Sequence, residues 1–114
     1  MTDTPHMGLP LLDSAQAQKH VTHNESLLAL DHLVHLSVLE RNRVTPPASP
    51  GANDRYLVGV AATGEFLGKD KAVATRQDGA WRFFTPQKGW RAFIEAENLL
   101  TVFDGTNWLD VAPI

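Results

Sequence analysis

The sequence predicts an α+β fold: an N-terminal extended arm and helix forming an oligomerising stalk, then a small antiparallel β meander of about five to six strands. Three observations carry the expectation. Residues 24–40 repeat Leu and Val at helical spacing, and residues 44–53 hold Pro46, Pro47, Pro50 and Gly51, which cannot continue a helix. From Arg55 onward, short apolar runs are separated by Asp-Gly, Glu-Asn and other turn residues. The expected organisation is an arm and helical attachment segment over 1–43, a Pro-rich hinge over 44–53 and a β domain over 54–114.

Taken in order, Met1 to Leu12 carries Pro5, Gly8 and Pro10 without periodicity and reads as an extended arm, with Leu9, Leu11 and Leu12 favouring docking over mobility. Asp13 or Ser14 can cap a short helical stretch through Lys19. Thr22, with Glu25 three residues on, reads as a capping box opening the main helix, placed from Asn24 to Glu40. On a helical wheel, Leu27, Ala29, Leu30, Leu33, Val34, Leu36 and Val38 cover more than half the circumference, with Leu28 and Leu39 outside even that arc. A helix resting on one sheet needs an apolar stripe of only about 100°. The excess predicts burial on two sides, against the β domain and against symmetry mates, with Leu27, Leu30, Leu33, Val34 and Val38 at the core of a homotrimer.

The β region opens with a strand at Arg55 to Val60. A loop through Gly64 and Gly68 follows, then Ala72 to Arg76 and Trp81 to Thr85 flanking Asp78-Gly79, a hairpin signal because glycine accepts φ > 0 without steric cost. Trp90 to Glu95 and Leu99 to Phe103 flank Glu97-Asn98, and Asp104-Gly105 turns the chain into Trp108 to Val111. Two segments echo one another: each places a tryptophan, Trp81 or Trp108, just after an Asp-Gly turn.

Composition narrows the function classes. A 114-residue chain holds one thin core, so apolar faces without partners favour oligomerisation. Its net charge of -3 and scattered basic residues argue against nucleic-acid binding. The chain has no cysteine, which removes thiolate zinc sites and cysteine nucleophiles. No apolar run is long enough for membrane insertion and the first residues do not resemble a signal peptide, so synthesis in the cytoplasm is expected.

Among candidate chemistries, His20 and His23, and again His32 and His35, stand three apart at a spacing that could grip a metal, but a third ligand is missing, so no metal or other cofactor is expected. No nucleophile motif occurs and all five histidines precede residue 36, so no enzyme activity is expected. A glycan-degrading activity on paired carboxylates is the weakest alternative. All nine Phe, Tyr and Trp residues lie after residue 55, and Trp81, Trp90 and Trp108 are candidates for stacking on sugar rings. A carbohydrate-binding module is therefore the alternative reading.

The stretch Leu9 to Glu25, with Gln16-Ala17-Gln18-Lys19 and Asn24-Glu25 at its centre, together with Leu30-Asp31, Pro46-Pro47, Asp54-Arg55-Tyr56, Asp78-Gly79-Ala80-Trp81, Thr85-Pro86, Gly89-Trp90 and Asp104-Gly105-Thr106, resembles a family of unknown biochemical function. That family recurs in tail-fibre-type proteins of tailed phages, prophages and gene transfer agents. The resemblance runs nearly end to end and implies a virion structural protein. It would be a homotrimeric tail-fibre or baseplate-associated module involved in host adsorption, made in the bacterial cytoplasm, located finally in the tail of a phage or phage-like particle and contacting other tail or baseplate proteins and, on the alternative reading, host surface polysaccharide. Gln16, Gln18, Lys19, His20, His23 and Asn24 would make the particle contacts.

Overall fold

A computed structural model describes residues 3–12 and 19–111, with the side chains of residues 19–22 excepted. The chain divides into two compact units, residues 1–34 and residues 35–114.

The first unit is an arm folded against one helix, α1 (Lys19–Leu33). The arm reverses on itself: the Thr4 N–H donates to the Leu9 carbonyl at 2.8 Å, Gly8 takes φ +70°, and Asp3 bridges Pro10. The helix already runs at Lys19, so Thr22 and Glu25 lie inside it and do not open it. It stops at Leu33 because His35 enters the left-handed region at φ +53°, a conformation that ends helical hydrogen bonding.

The stalk expectation fails here. Residues beyond His35 are strands: β1 (Ser37–Val38) and β2 (Glu40–Arg43). The protein is β-rich, with eight strands in two four-stranded sheets and one short helix among the described residues, and not a helical stalk feeding a single meander. The remaining strands are β3 (Arg55–Val58), β4 (Val73–Gln77), β5 (Ala80–Phe84), β6 (Arg91–Ile94), β7 (Leu99–Phe103) and β8 (Trp108–Asp110). The apolar arc that suggested a helix buried on all sides borrowed Leu36, Val38 and Leu39 from this region. A short apolar run in a buried strand has no helical periodicity to betray it. Val38, expected in a trimer seam, is instead a fully buried strand residue of the second unit.

The two sheets are built on one plan. In the first, β2 runs parallel to β3, and β3, β4 and β5 follow as an antiparallel meander; in the second, β1 runs parallel to β6, and β6, β7 and β8 repeat the meander. The segment 37–43 thus supplies an edge strand to both. Leu39 marks the crossing, its N–H bonded to the Arg55 carbonyl and its carbonyl to the Ala96 N–H. A parallel pair needs a crossover of about a dozen residues, and the Pro-rich stretch after Arg43 is that crossover, carrying the chain from β2 to the start of β3.

Each meander contains the same device. Thr75 and Thr101 are fully buried, and their hydroxyls donate across the hairpin to the carbonyls of Arg82 (3.3 Å) and Leu109 (3.0 Å). Each is followed three residues later by Asp-Gly and then by a tryptophan in the first two residues of the outgoing strand. Asp78 and Gly79 both have positive φ, as a two-residue hairpin turn demands. The second turn is longer, and Asp104 organises it by accepting the N–H groups of Thr106 (2.8 Å) and Asn107 (2.7 Å) through Oδ1. Those two amides hold its carboxyl below the ordinary carboxylate range.

One face of the first sheet is covered by the loop after β3. Phe66, fully buried, packs with Val58, Ala62 and Ala74 and meets the rings of Trp81 (5.0 Å) and Phe83 (5.8 Å) edge to face. Leu57, Val73 and Thr75 on its other face, with Ala92, Ile94, Thr101 and Phe103 of the second sheet, form the buried faces of a two-layer β core. The opposite face of the second sheet stays open, with Phe93, Leu100, Leu109 and Val111 all exposed.

Candidate functional site

Two places gather polar groups by design of the fold. The first is the arm and helix unit. Asp31, on α1, is fully buried and accepts hydrogen bonds from the Thr4 hydroxyl (2.6 Å), the His6 N–H (2.7 Å) and the Met7 N–H. Burial pushes its carboxyl up, but these three donors outweigh burial and hold it below the ordinary carboxylate value. The Thr4 hydroxyl in turn accepts from the Leu9 N–H, so one carboxylate organises the whole turn. Beside it, His32 is fully buried with Nδ1 3.2 Å from Nε2 of His6. Farther along α1, Asn24 binds the arm a second time, its carboxamide accepting from the Leu12 N–H (2.8 Å) and donating to the Leu12 carbonyl (3.0 Å).

The consequence is a helix that buries polar groups near its C-terminal end as well as the apolar Leu28. Its polar Asp31 and His32 are buried, while Leu30 is 52% exposed and Val34 37%. Leu27 and Leu33 are half-buried.

The second place is the seam between the two sheets. Arg41 of β2 reaches across it, pairing with Glu97 (2.7 Å) in the turn after β6 and with Asp110 of β8. Both carboxylates push the guanidinium further above its ordinary pKa. Nearby, Lys71 and the second hairpin lock reciprocally: the Trp108 Nε1–H donates to the Lys71 carbonyl (2.9 Å) and the Lys71 ammonium donates to the Thr106 carbonyl (2.8 Å). A shallow depression opens beside these contacts, lined among others by Asn42, Val58, Gly59, Asn107 and Trp108.

The three tryptophans meet different fates. Trp81 is taken up by the core, between Phe66 and Tyr56, with the Arg76 guanidinium over its ring at 5.3 Å. Trp90 is half-buried, and Trp108, half-buried against Phe103, is the one that lines the depression. Of the particle-contact candidates, Gln16 and Gln18 lie outside the described residues, and only the backbone of Lys19 and His20 is described, in α1. His23 is exposed, and Asn24 is engaged with Leu12. His32 is buried beside His6, whereas His35 is exposed just past the helix end. Among the described residues, no group of three or more His, Cys, Asp or Glu is placed to hold a metal ion, and no helix is long and apolar enough to cross a membrane.

Sequence reasoning missed Thr4, Asp31, Arg41, Lys71, Asn42 and Asn107. For Asp31 a signal existed: a lone carboxylate between Leu30 and His32 in a leucine-rich helix is out of place unless something caps it. For the others the pairing partners lie far away in sequence, and no local pattern marks them.

A comparison with curated proteins found no match. Residues 23–109, which take in most of α1, strands β1 to β7 and all but the last residue of β8, match the family described as a protein of unknown function, DUF2793, and the chain belongs to that family.

Proposed function

We propose that the protein is a non-catalytic structural attachment module that works as a homotrimer, in the tail-fibre or baseplate region of a phage or phage-like particle. The observation that carries this reading is the C-terminal end of α1: Asp31 is spent on holding the arm, and Leu30 and Val34 are left to water. Their spacing of four places them on one helical face. Isolated exposed leucines are ordinary on a surface, but the open apolar face of the second sheet adds Phe93, Leu100 and Leu109, and a small chain with two uncovered apolar areas is suited to assembly. The tail-fibre setting rests on the resemblance of the Leu9 to Glu25 stretch and the Asp-Gly-Trp turns, and the contacts with other tail proteins belong to the same reading.

Light scattering on the full chain tests it. A trimer at micromolar concentration is expected, and Leu30→Glu with Val34→Glu should release monomers without loss of β structure, because both positions face solvent in the single chain. A wild-type monomer under those conditions refutes the assembly reading.

A further inference from the structure

The seam between the sheets holds a small depression. The depression there measures about 140 Å3, below the roughly 300 Å3 at which sites for drug-sized ligands begin. It suits one small ring. Val58, Gly59 and Trp108 are among the residues that line it. Asn42 and Asn107 also line it; both are exposed, and their carboxamides make no hydrogen bond among the described residues.

The backbone that carries the two asparagines and the indole of Trp108 are held in place before any ligand arrives. Asn42 sits at the bulge of β2, where the chain advances three positions from Glu40 to Arg43 while β3 advances two from Tyr56 to Val58, and it adopts φ +57° there. Asn107 is fixed by Asp104, and Trp108 by the Lys71 carbonyl and the Phe103 ring. For Trp108 this removes the ordering cost that weakens binding to a mobile side chain.

Charge decides the ligand class. The Arg41 guanidinium is engaged by Glu97 and Asp110, and Lys71 lies close enough to Asp104 to lower its carboxyl pKa. Two cations stand against three carboxylates, so no excess positive charge selects an anion. A carboxamide offers a donor and an acceptor together, which matches adjacent hydroxyls, and an indole covers a C–H face. We propose that this depression binds a single uncharged pyranose unit, with Asn42 and Asn107 reading its hydroxyls and Trp108 packing against its ring.

Protein-observed NMR on the full chain, titrated with methyl β-D-glucopyranoside, methyl α-D-mannopyranoside and methyl β-D-galactopyranoside, tests this. Glycerol and methyl β-D-glucuronide serve as controls. At least one neutral glycoside should give saturable shifts at the Trp108 indole N–H and the Asn42 and Asn107 side-chain amides, with Kd on the order of millimolar. The Trp81 indole should stay still. Asn107→Ala and Asn42→Ala should each weaken binding about fivefold, the loss of one net hydrogen bond; both are exposed positions whose truncation leaves the core intact. Saturation by none of the three glycosides overturns the proposal. So does an equal response to glycerol, tighter binding of the glucuronide, or unchanged affinity in both variants. The outcome is independent of oligomeric state, so a sugar-binding monomer refutes the assembly reading alone.

Discussion

Replacing Asp31 by Asn removes the charge from the centre of the arm and helix unit while leaving its size unchanged. The carboxylate takes three hydrogen bonds: the Thr4 hydroxyl and the Met7 N–H on one oxygen, and the His6 N–H on the other. Hydrogen bonds to a charged acceptor contribute about 1.5–3 kcal/mol each and neutral ones about 0.5–1.5 kcal/mol. If the Asn carbonyl takes the position shared by Thr4 and Met7, two bonds weaken by about 1 kcal/mol each and the amide group confronts the His6 N–H, donor against donor. The loss is then about 3 kcal/mol, roughly a 100-fold shift in the docking equilibrium of the arm. Full burial of Asp31 means solvent cannot compensate. Native-state hydrogen exchange reads this directly: the His6, Met7 and Leu9 amides should exchange about 100-fold faster in the variant, with amides of β3 and β4 unchanged. Exchange at His6 and Met7 within about threefold of wild type would refute the reasoning that this carboxylate holds the arm.

The same carboxylate predicts a pH dependence. Its folded-state pKa lies below the ordinary aspartate value, so the folded state binds a proton less readily than the unfolded one. Asp31 therefore stabilises the arm fully above about pH 4, and this contribution is lost as pH falls through the depressed folded value. The exchange difference between wild type and Asp31→Asn should shrink toward zero over that acid range. In the β unit, Phe66→Ala empties the centre of a fully buried aromatic cluster and should cost about 3–5 kcal/mol, seen as a fall in melting temperature of roughly 12 °C or more. A change under a few degrees would show that the loop carrying Phe66 is not part of the cooperative core. Gly59→Ala sets a new Cβ 2.9 Å from the Asn42 carbonyl carbon and 2.9 Å from Val44 Cγ1. Backbone cannot yield as a side-chain tip can, so denaturant titration should show about 1–3 kcal/mol of destabilisation, and wild-type stability would mean that β2 and β3 are not held at this spacing.

Much of the β region could be read locally. The six strand segments expected from Arg55 onward correspond to β3 through β8, because short apolar runs bounded by Asp-Gly and Asn turns carry their own boundaries. Asp78-Gly79 is a turn wherever it occurs, since both residues tolerate positive φ. The echo of Trp81 and Trp108 was also visible, although the buried threonines that complete the repeat, Thr75 and Thr101, were not singled out.

What the sequence determined by itself, then, was local: where strands turn, where proline forbids regular structure, and that the chain carries more apolar surface than a small core absorbs. What only the tertiary structure decided was partnership. Leu36 to Leu39 is an apolar run that suits a helix or a buried strand equally, and distant strands choose, through Arg55, Phe93 and Glu95, whose backbone groups pair with it. The split of one meander into two sheets follows from that choice, since β1 and β2 pair with different halves of the chain. Asp31 shows the same physics in side chains. A carboxylate on a leucine-rich helix is costly to bury until donors some twenty-five residues away in sequence fold over it, and no local pattern announces them.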